Sequence, residues 1–197
     1  MPLNQTLPIA SVAINACNDA TESGLNNPIT GAPYYSGLVQ GDYFDLTNAE
    51  ASQLSYLTNG KLYAGRYRRV QVDSGATASN IKVGTIGLMP AGLQPVANIV
   101  TSYDKGIVGA HPVIFLNAVT PGNFCFVQEL GFASVLAGAT LTKSGPNTGD
   151  LLNSTTLGVF DDPTVQELVP ASIGIALSPP SPNTLCLVQL NLPVTQG

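Results

Sequence analysis

From Gly65 onward the chain alternates short apolar runs with clusters of Gly, Pro, Asn, Ser and Asp, and this alternation restricts the fold more than any other feature. "RYRRVQVDSG" is followed by "NIKVGTIGLM", "HPVIFLNAV", "FCFVQEL", "ASVLAG", "GDLL", "ASIGIAL" and "TLCLVQLNL". Short strands separated by turn signals at such spacing argue for an antiparallel barrel or sandwich. No fixed-period repeat runs through them. Within the runs a period of two sorts side chains onto opposite faces. It separates Val70 and Val72 from Arg69, Gln71 and Asp73, and Cys186, Val188 and Leu190 from Leu187, Gln189 and Asn191.

One stretch, "TPGNFCFVQELGFASVLAG" (120–138), holds a turn-forming Pro-Gly-Asn and two apolar runs around a single acid, Glu129. It reads as a turn and two wall strands, with Cys125 as packing and Glu129 on the exposed face.

The segment before Gly65 has a different texture. Residues 1–40 carry scattered Pro, Gly and Asn, no sustained period, and only two charges, Asp19 and Glu22. Such a segment is either an extended arm that orders against a neighbour or a frayed terminus. "LTNAEASQLSYLTNGK" then carries one helix signal. Thr47 and Glu50 have capping-box spacing, Leu46 and Ala51 sit at the staple positions, and Asn59-Gly60 supplies a stop. The expectation is a helix over 48–58, an N-terminal arm and short helix over 1–60, and a β-barrel-like domain over 61–197.

Composition narrows the function. Charged residues make up 10% of the chain, against about 25% in an average soluble domain, while 44% are hydrophobic. Ser, Thr, Asn and Gln must therefore cover much of the surface. A neutral polar surface is cheaper to desolvate than a charged one, which suits packing against other subunits. With 7 Lys and Arg and a net charge of -5, the chain lacks the clustered basic footprint of a nucleic-acid binder. Its one basic group does not form a patch, because Arg66 and Arg68 share a strand face and Arg69 takes the other. Three widely spaced cysteines (Cys17, Cys125, Cys186) and a single His give neither a disulfide framework nor a metal-ligand pattern. No apolar stretch reaches the length of a membrane span. The run before Cys17 imitates a lipoprotein signal but has no Lys or Arg ahead of it, so synthesis in the cytoplasm is the expectation.

Candidate chemistry competes at each point with a plainer reading. "VQVDSGATA" has the local form of an aspartic-protease strand, with Asp73 as half of a dyad that only a homodimer could complete. The same Asp-Ser-Gly is what turns select. His111 has Ser102 and Asp104 nearby, but no nucleophile-elbow pattern occurs, and His-Pro suits entry into a strand. Asp161 and Asp162, before a Pro, fit calcium less well than a solvated turn. Tyr34, Tyr35, Tyr43 and Phe44 are candidate surface aromatics for a glycan- or receptor-binding module. No residue is assigned a catalytic, cofactor-binding or metal-binding role.

Taken together, "GKLYAGRYRRVQVDSGATASNIKVGTIGLM", "PVIFLNAVTPGNFCFVQELGFASVLAG", "GDLL" and "ASIGIAL…LCLVQLNL" resemble structural proteins of tailed-bacteriophage virions. The likeness is to small capsid decoration or cement proteins and head-fibre bases, and spans about residues 60 to 192. The resemblance implies a β-barrel or β-tulip-like domain without enzymatic activity or cofactor. It implies binding to the major capsid protein lattice on the virion exterior, as a homotrimer, with neither nucleic acid nor membrane as partner. A receptor- or glycan-binding fibre module and the homodimeric protease remain the alternatives.

Overall fold

The computed structural model describes residues 17–20, 40–41, 43–52, 62–76, 78–89, 96–99, 111–139, 151–154, 160–161 and 172–190. They form one mainly antiparallel sheet of ten strands with a single short helix. In chain order the strands are β1 (Tyr43–Leu46), β2 (Gly65–Val72), β3 (Ile86–Met89), β4 (Val96–Ile99) and β5 (His111–Phe115). They continue with β6 (Phe124–Leu136), β7 (Leu151–Ser154), β8 (Phe160–Asp161), β9 (Ser172–Ala176) and β10 (Leu185–Leu190). The helix, α1, begins at residue 48 and is described to residue 52; the expected remainder to 58 lies outside the described residues.

The helix starts where the capping chemistry places it. The Thr47 N–H donates to Glu50 Oε2 at 2.8 Å, and the Glu50 N–H donates back to Thr47 Oγ1 at 3.3 Å. This reciprocal pair satisfies two donors that a helix start leaves without partners. Leu46 and Ala51, the staple pair, are both buried and pack in one cluster with Leu62, Tyr67 and Phe126.

The sheet order is β1-β2-β4-β3-β5-β6-β10-β9-β7-β8, and β2 also pairs with β6. The expected barrel is corrected here: the sheet is not closed into a barrel, and its end strands β1 and β8 are not neighbours. The reason lies in β6. Its first half runs antiparallel to β2, from Gln71↔Phe124 to Gly65↔Gly131, while its second half, Gly131 to Leu136, runs against β10. The β2–β6 pairing curls one part of the sheet on itself, and β10, β9, β7 and β8 then lead away from it.

This also revises the reading of 120–138. The two expected wall strands are one strand of 13 residues that changes partner midway. Gly131, at φ 94°, sits at the change and pairs with Gly65 on one side and Leu190 on the other. A Cβ on Gly131 would stand 2.2 Å from the Ala64 carbonyl oxygen, so only glycine lets the two backbones approach this closely. The preceding turn keeps its expected form. The Asn123 N–H donates to the Thr120 carbonyl at 3.0 Å, with Pro121 and Gly122 (φ 88°) in the central positions that a type II turn favours.

Two packed clusters lie against opposite faces of β2. Val70 and Val72 pack with Ile81, Met89, Val113, Phe115, Cys125 and Val127, and Tyr67 packs with Phe126, Leu46 and Cys17. A third cluster joins Val188 and Cys186 of β10 to Ala133 and Val135 of β6 and Ala176 of β9. Cys186, Val188 and Leu190 are buried while Leu185 and Gln189 are exposed, as the period of two requires.

Candidate functional site

Strand β2 carries every arginine of the chain, in the run Arg66-Tyr67-Arg68-Arg69. Alternation puts Arg66 and Arg68 on one face and Tyr67 and Arg69 on the other, as expected. What the two faces meet is very different.

Arg69 has no solvent exposure. Its Nη2 donates to Asp19 Oδ2 at 3.0 Å and its Nη1 to Cys17 Sγ at 3.1 Å. The guanidinium carbon lies 5.7 Å from the Phe124 ring centre and 5.5 Å from that of Phe126, within cation–π range of both. Asp19 reaches this position because residues 17–20 cross the start of β6 as a short strap. Asp19 and Phe124 exchange both backbone hydrogen bonds, at 2.9 and 2.8 Å. Asn18 fixes the strap from outside: its Oδ1 accepts from the Thr120 N–H at 3.1 Å and from Asn123 Nδ2 at 2.9 Å. Asn117 Nδ2 donates to the Cys17 carbonyl at 3.0 Å.

The strap therefore places a thiol, a carboxylate and a guanidinium together under two aromatic rings. The Cys17 thiol donates to Asp19 Oδ2 at 3.0 Å. Burial, then this hydrogen bond, pushes its pKa up to about 12, with Arg69 opposing the rise. A thiol held this way stays protonated at neutral pH and is a poor nucleophile. Burial also raises Cys125 well above the ordinary thiol value, and that residue packs between Val70 and Val127 as the sequence suggested. All three cysteines are free and buried.

On the other face the arginines stay near water. Arg66 forms a two-pronged contact with Asp45 of β1, at 2.9 and 3.1 Å, and this hydrogen bonding raises the Arg66 pKa. Arg68 pairs with Glu129 at 3.1 Å and donates from Nη1 to the Gly41 carbonyl at 2.9 Å. The ring of Tyr43 lies beside both, 4.4 Å from the Arg66 guanidinium carbon and 5.3 Å from that of Arg68. Glu129 was expected to be exposed and is buried instead. The register passes from Tyr67↔Gln128 to Arg66↔Leu130, so Glu129 is an extra residue on β6 between two registered positions. Arg68 closes over it.

The remaining sequence candidates resolve individually. Asp73 accepts the Gly75 N–H at 2.9 Å and its carbonyl accepts the Ala76 N–H at 3.0 Å, which is the turn chemistry of Asp-Ser-Gly. His111 opens β5, the strand entry expected of His-Pro, whereas Ser102 and Asp104 lie outside the described residues. Asp161 belongs to the two-residue strand β8 rather than to a turn, and Asp162 lies outside the described residues. Of the four aromatics, Tyr34 and Tyr35 are also outside them, and Tyr43 is half-exposed. Phe44 is half-buried: it stacks on Tyr67 at 5.6 Å and meets Phe126 edge-on at 5.5 Å. Among the described residues no group of His, Cys, Asp and Glu could hold a metal ion, and no helix is long and apolar enough to cross a membrane.

Sequence reasoning missed the Asp19–Arg69 pair. Its signal was present, faintly: an arginine inside an apolar strand needs an acid, and the first 40 residues offer only Asp19 and Glu22.

No protein-family model matches this chain, and no curated protein matches it. Among solved structures it is similar to the head fiber gp8.5 N base of bacteriophage phi29, with 14% sequence identity and a TM-score of 0.43. The match covers 64% of this chain and 92% of that one, and a likeness this slight carries no argument about function.

Proposed function

We propose that this chain is a non-enzymatic structural protein of a tailed-bacteriophage virion. In this reading it decorates or cements the outside of the head by binding the major capsid protein lattice, as a homotrimer. The observation that carries it is where the charge goes. All three arginines pair with carboxylates of the same chain, in a sequence that has only 7 Lys and Arg. Three of its seven cations are thus paired with acids of the same chain, and with charged residues only 10% of the sequence, neutral polar side chains must cover much of the surface. Such a surface loses its water at modest cost when a neighbouring subunit covers it. An interface of standard size buries roughly 1,600 Å² in total, and several around one molecule would raise the cost of local opening of the shell. The sequence resemblance over residues 60 to 192 supports the same reading.

The test is co-sedimentation of the purified protein with heads of the encoding virus assembled without it, together with light scattering of the free protein. Saturable pelleting and a mass of three chains are the expected results. Protein that stays in the supernatant at every head concentration overturns capsid binding, and a monomeric mass overturns the trimer. Removing residues 1–16 tests the arm while sparing the strap, because the Cys17–Asp19 contacts remain. Loss of pelleting with the sheet still folded is expected, and undiminished pelleting eliminates residues 1–16 as the part of the 1–40 arm that reaches the capsid.

A further inference from the structure

The strap over Arg69 has properties that its packing role does not require. Its contacts with the sheet reach far along the chain, from Asp19 to Phe124 and from Asn18 to Thr120 and Asn123. Among the described residues its one backbone pairing with the sheet is the isolated bridge Asp19↔Phe124, flanked by the Asn117 and Asn123 side chains that donate to the Cys17 and Asn18 carbonyls. Asn18 and Ala20 are exposed while Cys17 and Asp19 between and beside them are buried. One oxygen of the buried carboxylate, Asp19 Oδ1, has no hydrogen-bond partner among the described residues. A buried ionised group that is only partly satisfied gains less from docking than its burial suggests.

We propose that residues 17–20 form a releasable strap, which opens as a unit and uncovers Arg69, Phe124 and Phe126 while the β2–β6 seam stays intact. The seam has its own support. It pairs over seven registered positions, Gly65 to Gln71, and its opposite face is sealed by Val70, Val72, Cys125 and Val127, which the strap does not touch. Regions that open below the global unfolding limit are those with few backbone pairings, and among the described residues the strap has one; its release also parts Cys17 from the cluster of Leu46, Ala51, Leu62, Tyr67 and Phe126. Release would bring the Cys17 thiol and the Arg69 guanidinium, both buried when the strap is docked, into contact with water. The strap is independent of the capsid reading: it opens or it does not, whatever the chain binds.

The protein carries its own reporters. Docked, the Cys17 thiol is protonated and inaccessible, and Cys125 lies on the opposite face of the same seam. The full-length protein is treated with a small thiol-alkylating reagent at neutral pH without denaturant, and modification at each cysteine is followed by peptide mass spectrometry. Cys17 is expected to react at least roughly tenfold faster than Cys125, the separation that marks a local rather than a global opening. Asn18→Ala removes the outer fastening without touching the core. It is expected to raise the Cys17 rate several-fold and leave the Cys125 rate unchanged. Equal rates at Cys17 and Cys125 in the parent protein, or a parallel rise at both in Asn18→Ala, would mean that strap and sheet open together, and would overturn the proposal.

Discussion

Arg66 and Arg69 stand three residues apart on one strand, carry the same charge, and each meets one aspartate from an N-terminal part of the chain. Arg69 and Asp19 are 0% and 2% exposed at their side chains, whereas Arg66 and Asp45 are 32% and 59% exposed. Geometry does not separate them, since the shortest contacts are 3.0 and 2.9 Å. Environment does. Near water an ion pair replaces hydration that was nearly as good; under two aromatic rings each partner has given up water and depends on the opposite charge to offset that loss. Arg68 with Glu129, at 22% and 8%, lies between the two. The strand is thus a graded series in which one interaction type is repeated at three depths.

The largest effect belongs to the deepest pair. Arg69→Ala leaves Asp19 buried without its cation, and a loss of about 3–5 kcal/mol in folding free energy is expected from denaturant titration. Asp19→Ala should cost a similar amount by stranding the guanidinium. The double replacement Asp19→Leu with Arg69→Met removes both charges and keeps apolar volume. It should recover most of that loss, because pairs of this kind are costly to break and of little net benefit over hydrophobic packing. A double variant no more stable than either single one would show that depth is not what distinguishes the two ends of the series.

The same burial gives the deep side an alkaline limit. The Cys17 thiol has a folded-state pKa of about 12 against an ordinary 9.0. Between those values the unfolded chain has lost the proton and the folded chain still holds it, so unfolding releases a proton and is favoured as pH rises. This contribution is intact below pH 9 and disappears by about pH 12. Cys17→Ala should flatten the decline in stability over that window, as read from thermal midpoints at stepped pH. An unchanged slope would place the thiol in a less buried setting than the strap gives it.

The middle of the series depends on a feature that no residue pattern announces. Arg68→Ala leaves Glu129 largely buried with one fewer partner, and a loss of about 1–3 kcal/mol is expected. Glu129→Gln should cost less, since the amide can still accept from Arg68. The sequence placed Glu129 on the same face as Cys125 and Val127 and took that end of the face as open. It could not show the added residue in β6 opposite Arg66 and Tyr67, because a bulge is a property of pairing and not of either strand alone. The open sheet was hidden for a related reason. The strand grammar of β2, β5, β6 and β10 was legible, and so were the capping box at Thr47 and the turn at Thr120. Whether β6 closes against β2 alone or passes on to β10 depends on backbone approach at Gly65 and Gly131, which are 66 residues apart in the sequence. Asp19 was hidden most deeply, because its segment has no period to declare a face and its partners lie 50 and 105 residues further along the chain.

At the shallow end, Arg66→Ala and Asp45→Ala are each expected to change stability by no more than about 1 kcal/mol. Most of that should vanish in about 1 M salt, where the screening length falls to about 3 Å. The tyrosine complicates the simplest form of this expectation. Tyr43 packs beside the Arg66 guanidinium, so removing the arginine also removes contact area and a cation–π attraction that salt does not screen fully. Asp45→Ala removes the ion pair and keeps the ring contact, while Arg66→Ala removes both. The residual cost of Arg66→Ala over Asp45→Ala at high salt therefore isolates the aromatic contribution, at about 0.5 kcal/mol for a half-exposed ring. If instead the two variants converge at high salt, Tyr43 does not stabilise the arginine, and the shallow face is held by the strand pairing of β1 and β2 alone.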